Sequence, residues 1–424
     1  MKSNIAKRGI CIIAVSVLAA CAQFGKQAPL EEPTVYSLPD GKSASLIQDG
    51  WWLQLKDNKL NQLVAQAIQT STDLRIAKAR FEQAQAQLGI TEAAGKTQIG
   101  MSTRGVGMYV APKPASSRID TDHTLLLANA VAKQYFIWQA LSERQALVQE
   151  RINLSEKMQQ LVSRRIHANL MPAQSLYPLE LASQQLQLEK TSLEQQIAKV
   201  RHALAVLIGN VPGALSEQEP GRMGVVPVVP VNRIHADLLA ARPDIAAQKS
   251  LLESKLHTVK STEAEFYPNI ELKALAGLGH IDAFNVVRGK TSGMLGIVPA
   301  INLPIFTSGA LQSKLAGKRA EYNEQVAVYD QTVLNAMRSA ADAVVDYQSL
   351  QSKQSTWDKM LKISEKSVKN AQGRVRAGLD NGLSALQKQD DMLQVKMQLV
   401  QYQSERLIAW SNLNAQLGGG FKTQ

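Results

Sequence analysis

The stretch Thr262–Ile270 reads TEAEFYPNI, and a close copy, TEAAGKTQI, occupies Thr91–Ile99. The similarity extends to either side at the same offset of 171 residues: TDLRIAKARFEQAQAQLGITEAA, which begins at Thr72, aligns with PDIAAQKSLLESKLHTVKSTEAE, which begins at Pro243. Repetition at a fixed offset indicates that the chain consists of repeats of one structural unit. We therefore predict two repeats of similar fold.

A second offset shows that the two repeats differ in length. Further along the chain, matching residues lie 209 positions apart, and the pairs include Arg165 with Arg374, Asn169 with Gly378, Leu170 with Leu379 and Gly209 with Gly418. Because the two offsets differ by 38 residues, we predict that the first repeat lacks 38 residues that the second contains. We place this truncation near residues 99–124.

Most of each repeat has the apolar spacing of an amphipathic helix. We predict helices over Asp57–Gly89, Leu125–Arg164, Leu176–Ile208, Ala310–Arg376 and Leu383–Leu417. A helix of about 40 residues is about 60 Å long, which is longer than a globular core requires. Such lengths favour a coiled-coil-like assembly.

Two glycine-rich segments of the second repeat predict strands instead. IELKALAGLGH begins at Ile270 and GMLGIVPAINLPIF begins at Gly293, and each has about the length of a tilted membrane strand. The predicted strand–helix turns contain Pro268, Asn269, Pro304, Ser308 and Gly309. Proline disfavours helix at the residue before it, and Thr307 or Ser308 could cap the next helix. The first repeat offers only one weaker strand, IGMSTRGVGMYV, from Ile99.

The N-terminus has the pattern of an export signal. Lys2, Lys7 and Arg8 precede a short apolar run, and LAAC ends at Cys21. This ending resembles a bacterial lipobox, in which cleavage before the cysteine precedes its acylation. Ala22 after the cysteine favours delivery to the outer membrane. The alternative is ordinary signal cleavage that leaves a free thiol.

Composition and motifs argue against an enzyme, a metal site and nucleic-acid binding. Removal of the three cations of the signal lowers the formal net charge from +11 to +8, and this excess is spread along the predicted helices, with no aromatic-interleaved basic patch. The histidines lack the spacing of metal ligands, and no serine has a nucleophile-elbow context. We therefore predict no catalytic residues, no metal and no cofactor. Trp51 and Trp52 have two open interpretations, a membrane-interface anchor or packing inside the protein.

Taken together, these features resemble the TolC-like outer-membrane efflux channels, in their acylated subfamily. The resemblance covers Gly50–Phe421 apart from the truncation. It rests on segments that occur in family order: GWWLQLKDNKLNQLVAQAIQTSTDLRIAKAR, ADLLAARPDIAAQ, FYPNI, LPIFTSGA and LGGGF. It implies a mainly α fold with a small β-barrel portion, in which three copies share one barrel and one helical tunnel.

The resemblance also implies a function, partners and a location. A channel of this family is a passive exit duct for drugs or other small molecules in a tripartite efflux system. It receives them from an inner-membrane pump through a periplasmic adaptor. The chain would act as a homotrimer in the Gram-negative outer membrane, anchored by lipid at Cys21, with most of its length in the periplasm.

The same resemblance assigns the gate and the adaptor-docking tip to two helix turns, RRIHANLMPAQSL and GRVRAGLDNGLSAL. The residues assigned to it are Arg165, Asn169, Arg374, Arg376, Gly378, Asn381, Ser384, Gln387, Asp390 and Asp391. Asn and Gly tolerate the left-handed conformation that ends a helix, so a simple hairpin turn also explains Asn169 and Gly378. Arg374 and Arg376 could dock the adaptor or cover a solvated helix end. Ser384 and Gln387 stand where many relatives have carboxylates, so we do not expect an acidic ring at that level.

The expected domain organisation follows from the repeats. It comprises a signal peptide (1–20), an acylated extension (21–56), a first repeat (57–209), an inter-repeat linker (210–235), a second repeat (236–418) with a β-hairpin near 268–306, and a tail (419–424). Two alternatives stay open. The truncation motivates one of them, a non-conducting structural or adaptor-binding lipoprotein derived from a channel by internal deletion. The other is a type I protein-secretion duct.

Overall fold

A computed structural model describes the chain over residues 27–33, 47–48, 50–72, 75–76, 79, 119–229, 239, 242–267, 269–279, 292–302 and 307–421. Its helices and strands are, in chain order, β1 (Ile47–Gln48), α1 (Asn58–Thr70), α2 (Ile119–His167), α3 (Tyr177–Leu207), α4 (Pro243–Ala264), β2 (Asn269–Gly279), β3 (Ser292–Asn302), α5 (Ala310–Arg376), α6 (Leu383–Gln416) and β4 (Gly420–Phe421). The chain is mainly helical, as predicted. Within this described part, no helix is both long enough and apolar enough to cross a membrane.

The chain divides into two compact units. The first contains α4, β2, β3 and the beginning of α5, up to Leu334. The second contains α1, α2, α3, α6 and the rest of α5. Helix α5 is continuous over the predicted range. The predicted bounds of α3 and α6 are correct to within one residue at each end, whereas α2 begins six residues earlier and ends three residues later than predicted.

The core of the first unit lies where α4 packs against the first turns of α5. Its buried side chains recur at helical spacing on both helices: Leu252, Val259, Phe266, Leu315, Tyr322 and Val326. Ion pairs flank this core. Lys255 and Lys318 both bind the Glu321 carboxylate, at 2.9 and 2.6 Å, and their hydrogen bonds lower its pKa.

Strands β2 and β3 form an antiparallel hairpin. The register pairs Asn269 with Asn302 at one end and Gly279 with Ser292 at the other. The two predicted strands are thereby confirmed, and both are 11 residues long. Before the hairpin, α4 ends at Ala264 and passes through a turn at Glu265–Tyr267. Pro268 and Pro304 lie outside the described residues.

After the hairpin, α5 begins at Ala310, which is one residue later than a cap at Ser308 gives and two later than a cap at Thr307 gives. The carbonyl of Gly309 accepts the first helical hydrogen bond, from the amide of Ser313 at 2.9 Å, so Gly309 is the N-cap. The prediction of Thr307 or Ser308 as N-cap is wrong. The reason is the backbone: Ser308 and Gly309 have φ of 50° and 81°, a left-handed pair that turns the chain before the helix starts.

The segment Gln27–Pro33 lies along α5 in the first unit. The side-chain amide of Asn323 binds this segment twice: its nitrogen donates to the Pro29 carbonyl at 3.1 Å, and its oxygen accepts from the Glu31 amide at 3.0 Å. Arg319 donates to the Ala28 carbonyl at 2.9 Å, and Leu30 packs against the core between α4 and α5. The extended segment is thus held through its backbone as well as by apolar contact.

The second unit is built around α2, which packs against both α3 and α6. Its large buried side chains include Trp138, Tyr135 and Phe136. Trp51 is fully buried, Trp52 is 9% exposed, and the ring of Trp51 meets Trp52 and Trp410 edge to face. Packing inside the protein, rather than membrane anchoring, is therefore the correct interpretation of the two tryptophans.

The predicted helix Asp57–Gly89 is interrupted at Ser71. Asp57 caps its start by accepting from the amides of Lys59 and Leu60, but α1 ends at Thr70. Ser71 has an extended ψ of 127°, and its carbonyl accepts from the Arg75 amide, which starts a new helical turn. Most residues between 73 and 118 lie outside the described part, including the weaker strand predicted from Ile99.

A buried polar cluster ties the linker between the repeats to α1 and α2. The Tyr135 hydroxyl donates to Asp57 at 2.9 Å and accepts from the Gly221 amide at 2.9 Å. Gln139 donates to the same carboxylate and to the carbonyls of Gly221 and Arg222. Burial, together with the nearby Asp57 charge, raises the pKa of Tyr135 far above its usual value. The linker is therefore held by specific hydrogen bonds.

Candidate functional site: the two helix turns

The first predicted tip turn joins α2 to α3. Asn169 has φ of 56°, in the left-handed region. Two backbone hydrogen bonds close the end of α2. The Leu170 amide donates to the Arg165 carbonyl at 2.8 Å, and the Asn169 amide donates to the Ile166 carbonyl at 2.9 Å. This is the Schellman motif, in which a left-handed residue lets the last helical carbonyls find partners.

The second tip turn, between α5 and α6, has the same geometry. Gly378 has φ of 70°. The Leu379 amide donates to the Arg374 carbonyl at 2.9 Å, and the Gly378 amide donates to the Val375 carbonyl at 3.0 Å. Each of these residues lies 209 positions after its counterpart in the first turn. The left-handed conformation predicted for Asn169 and Gly378 is confirmed.

Different devices start the helix that follows each turn. After the first turn, Pro172 leads into a short 3₁₀ helix, Ala173–Ser175, that precedes α3. After the second turn, Gly382 adopts φ of 84°, and the Asn381 side chain accepts from the Leu383 amide at 3.1 Å. Asn381 therefore has a local structural role in the second turn. This role accounts for an asparagine at the position without any partner protein.

One hydrogen bond joins the two turns. The Arg165 guanidinium donates to the Asn381 carbonyl at 3.0 Å, although the two residues are 216 positions apart. Arg374 lies 3.9 Å from Asp380 and remains 62% exposed. The structure thus brings together four of the predicted tip residues, Arg165, Asn381, Arg374 and Gly378, at one end of the second unit.

Two exposed leucines belong to this end and were missed as site residues. Leu170 is 74% exposed and Leu379 is 68% exposed, and each follows the left-handed residue of its turn. In a Schellman motif the residue at this position frequently makes an apolar contact with the end of its helix. In both turns the leucine is exposed to solvent instead. The signal was present in the sequence, since the two leucines match across the offset of 209.

The predicted aspartates are not free carboxylates. Asp390 accepts two hydrogen bonds from the Arg151 guanidinium, at 2.8 and 3.1 Å, and one from Gln394 at 2.9 Å. Its side chain is only 19% exposed. Asp391 is more open, at 57%, and binds Lys388 at 2.9 Å on the same helix. Asp390 therefore links α2 to α6.

Ser384 and Gln387 lie in the first turns of α6. Ser384 is half-buried and Gln387 is exposed, and both precede the aspartates along the helix. Neither adds a charge to this end of the unit. In the described part of the chain, no group of three or more His, Cys, Asp and Glu side chains is arranged to hold a metal ion. Cys21 lies outside the described residues.

Comparisons with known proteins agree with this architecture. Residues 235–419 match the family model described as outer membrane efflux protein. The chain is 26% identical to the multidrug resistance outer membrane protein MdtP of Escherichia coli O6:H1, over 96% of this chain and 95% of the relative. The chain is thus similar to a multidrug resistance outer membrane protein along nearly its whole length, and its C-terminal part matches the efflux-protein family.

Two further relatives extend the comparison. The toluene efflux pump outer membrane protein TtgC of Pseudomonas putida is 24% identical and aligns over 96% of this chain and 94% of its own length. The crystal structure of the outer membrane protein VceC from Vibrio cholerae has a TM-score of 0.72 at 24% identity, covering 89% of this chain and all of VceC. MdtP and TtgC are named as outer membrane proteins of multidrug resistance and efflux, VceC is named as an outer membrane protein, and none of these names is that of an enzyme.

Proposed function

We propose that this protein is the outer-membrane channel subunit of a tripartite efflux system, a passive exit duct for drugs or other small molecules. The observation that carries the proposal is the match to relatives named as outer membrane proteins of multidrug and toluene efflux, along nearly the whole chain. The fold supports it, because 89% of this chain resembles a solved outer membrane protein.

A trimeric barrel is the form in which the β-hairpin could enter a membrane. Strands of 11 residues are long enough to cross the hydrocarbon core when tilted. A bilayer leaves no water to satisfy open strand edges, so a spanning sheet must close on itself. One hairpin cannot close alone, and three copies of the chain would supply the neighbours.

The partners follow from the same proposal. The end that carries Arg165, Asn169, Arg374, Arg376 and Gly378 would be the periplasmic tip, where the tunnel opens and a periplasmic adaptor docks. The adaptor would connect the channel to an inner-membrane pump. Acylated Cys21 would anchor the chain in the Gram-negative outer membrane, with most of the chain in the periplasm.

The domain organisation remains the one proposed from the repeats, with a first repeat over 57–209 and a second over 236–418. One observation supports the truncation. The alignment with MdtP runs over 463 positions, although the chain has 424 residues, so at least 39 positions have no residue in this chain. This favours a second candidate function, a non-conducting structural or adaptor-binding lipoprotein, if the lost residues belong to the barrel.

Two experiments test the proposal. Deleting the gene in a strain that keeps the pump is expected to raise sensitivity to the pump's substrates, and the intact gene should restore resistance. Unchanged sensitivity over a broad compound panel, in a strain without a redundant channel, would refute the efflux role.

The purified trimer in a planar bilayer distinguishes the two candidate functions. Open-pore current rejects the non-conducting protein, whereas a trimer that binds its adaptor and carries no current supports it. The Cys21→Ser variant tests the anchor separately, because it should remove the labelled lipid from the protein without changing the fold.

A further inference from the structure

We propose that the end formed by the two helix turns is a cationic mouth that selects anionic solutes for export. The inference rests on the proposed channel function and names its substrate class. The starting observation is charge. Residues 164–178 and 373–387 contain four arginines and one aspartate, a formal net charge of +3 in each chain.

The one aspartate in these turns does not offset the charge facing solvent. Asp380 is only 16% exposed and lies 3.9 Å from Arg374, whose own side chain is 62% exposed. The next carboxylates along α6 already have partners: Asp390 binds Arg151 between α2 and α6, and Asp391 binds Lys388. Extending the two segments to the exposed Glu180 in the first turn of α3 and to Lys388 in α6 adds one negative and one positive charge, so the formal net charge of this end stays at +3.

The arginines are not needed to cap the helix ends. The last carbonyls of α2 and α5 already accept backbone hydrogen bonds in both Schellman motifs. Arg165 does bind a carbonyl, that of Asn381 in the opposite turn. Arg164 and Arg376 are exposed and have no ion pair within the described part of the chain. Helix dipoles do not cancel their charge, because each turn joins one helix C-terminus to one N-terminus.

Such an arrangement has a physical consequence for any solute that passes this end. Charges of one sign around an opening raise the local concentration of counter-ions and exclude co-ions. The effect reaches about 8 Å at physiological ionic strength, which is comparable to the width of a narrow opening. Three copies of the chain would place these arginines around one axis, so anionic compounds are the class that this mouth admits.

The test is the reversal potential of the purified trimer in a planar bilayer with a KCl gradient. We expect chloride to be favoured over potassium by about threefold or more at about 0.1 M salt, and the preference to fall towards unity at about 1 M, where screening shortens the Debye length to about 3 Å. The variant Arg374→Gln/Arg376→Gln should lose most of the preference.

The matched control removes the same charge elsewhere. Lys133→Gln/Lys199→Gln alters two exposed lysines of the same unit, about 50 and 33 Å from the first turn along their helices. This variant should keep the preference for chloride. A conducting trimer that favours potassium, or a double arginine variant with unchanged selectivity, overturns the inference and leaves the channel function standing. A trimer without current overturns both.

Discussion

The ion pair between Arg151 and Asp390 gives the sharpest test of how the second unit is held together. Its two hydrogen bonds, of 2.8 and 3.1 Å, are bidentate, and the side chains are only 15% and 19% exposed. Removing one partner of a buried pair costs about 3–5 kcal/mol in free energy of unfolding, and partial exposure reduces that. We expect Arg151→Met to cost about 3 kcal/mol.

The structure predicts that the two single variants are unequal. Without Arg151, the Asp390 carboxylate keeps only the Gln394 amide. Without the Asp390 charge, Arg151 still has Glu189 at 3.9 Å, and an asparagine at 390 can still accept a hydrogen bond. Asp390→Asn should therefore cost less, about 1–2 kcal/mol, and the double variant Arg151→Met/Asp390→Leu should approach the native stability.

Guanidinium unfolding of the detergent-solubilised protein, followed by circular dichroism, measures these differences. The control is the exposed pair of Lys388 and Asp391 on α6, whose side chains are 47% and 57% exposed. Lys388→Met/Asp391→Leu should change the free energy of unfolding by about 0.5 kcal/mol or less. Equal costs for Arg151→Met and Asp390→Asn, or costs no larger than the control, would refute the reasoning.

Three further predictions concern the linker cluster and the first turn. A Cβ on Gly221 would lie 2.8 Å from the Tyr135 hydroxyl, so Gly221→Ala should cost about 1–3 kcal/mol, whereas Gly224→Ala, whose Cβ would have no neighbour closer than 3.8 Å, should cost little in the same unfolding assay. Because burial raises the pKa of Tyr135, its contribution to stability should be constant below pH about 10 and fall as pH rises further, and Tyr135→Phe should abolish that alkaline slope. Asn169→Ala should destabilise the last turn of α2 by about 1 kcal/mol, measured by hydrogen exchange of the amides at the turn, and Asn169→Gly should not.

The elements that depend on local pattern could be predicted from the sequence. The long helices have apolar residues at helical spacing over many turns, and Asn169 and Gly378 are residue types that tolerate the left-handed conformation at a helix end. The local sequence pattern did not predict the structure where several helix boundaries were equally compatible with it. Ser71 interrupts a segment whose pattern is helical on both sides. Gly309 is the N-cap of α5, although Thr307 and Ser308 are better N-cap residue types, because the backbone turns at Ser308 and Gly309.

The candidate site was predictable in position but not in its interactions. The two turns follow from the repeat, yet no spacing rule connects Arg165 to Asn381 or Arg151 to Asp390, whose positions differ by 216 and 239 residues. Such pairs exist only because α2 packs beside α6. The sequence marks Asp390 as an acidic residue near the turns, and only tertiary packing makes it a link between α2 and α6.

The hold of Asn323 on the N-terminal segment has a consequence for the order of folding. Glu31 and Asn323 are 292 residues apart, so the segment near the start of the chain has no partner until three quarters of the chain has been made. Closing so long a loop is entropically costly before the intervening structure exists. The N-terminal segment thus becomes ordered late, when it binds α5 after most of the first unit has been made.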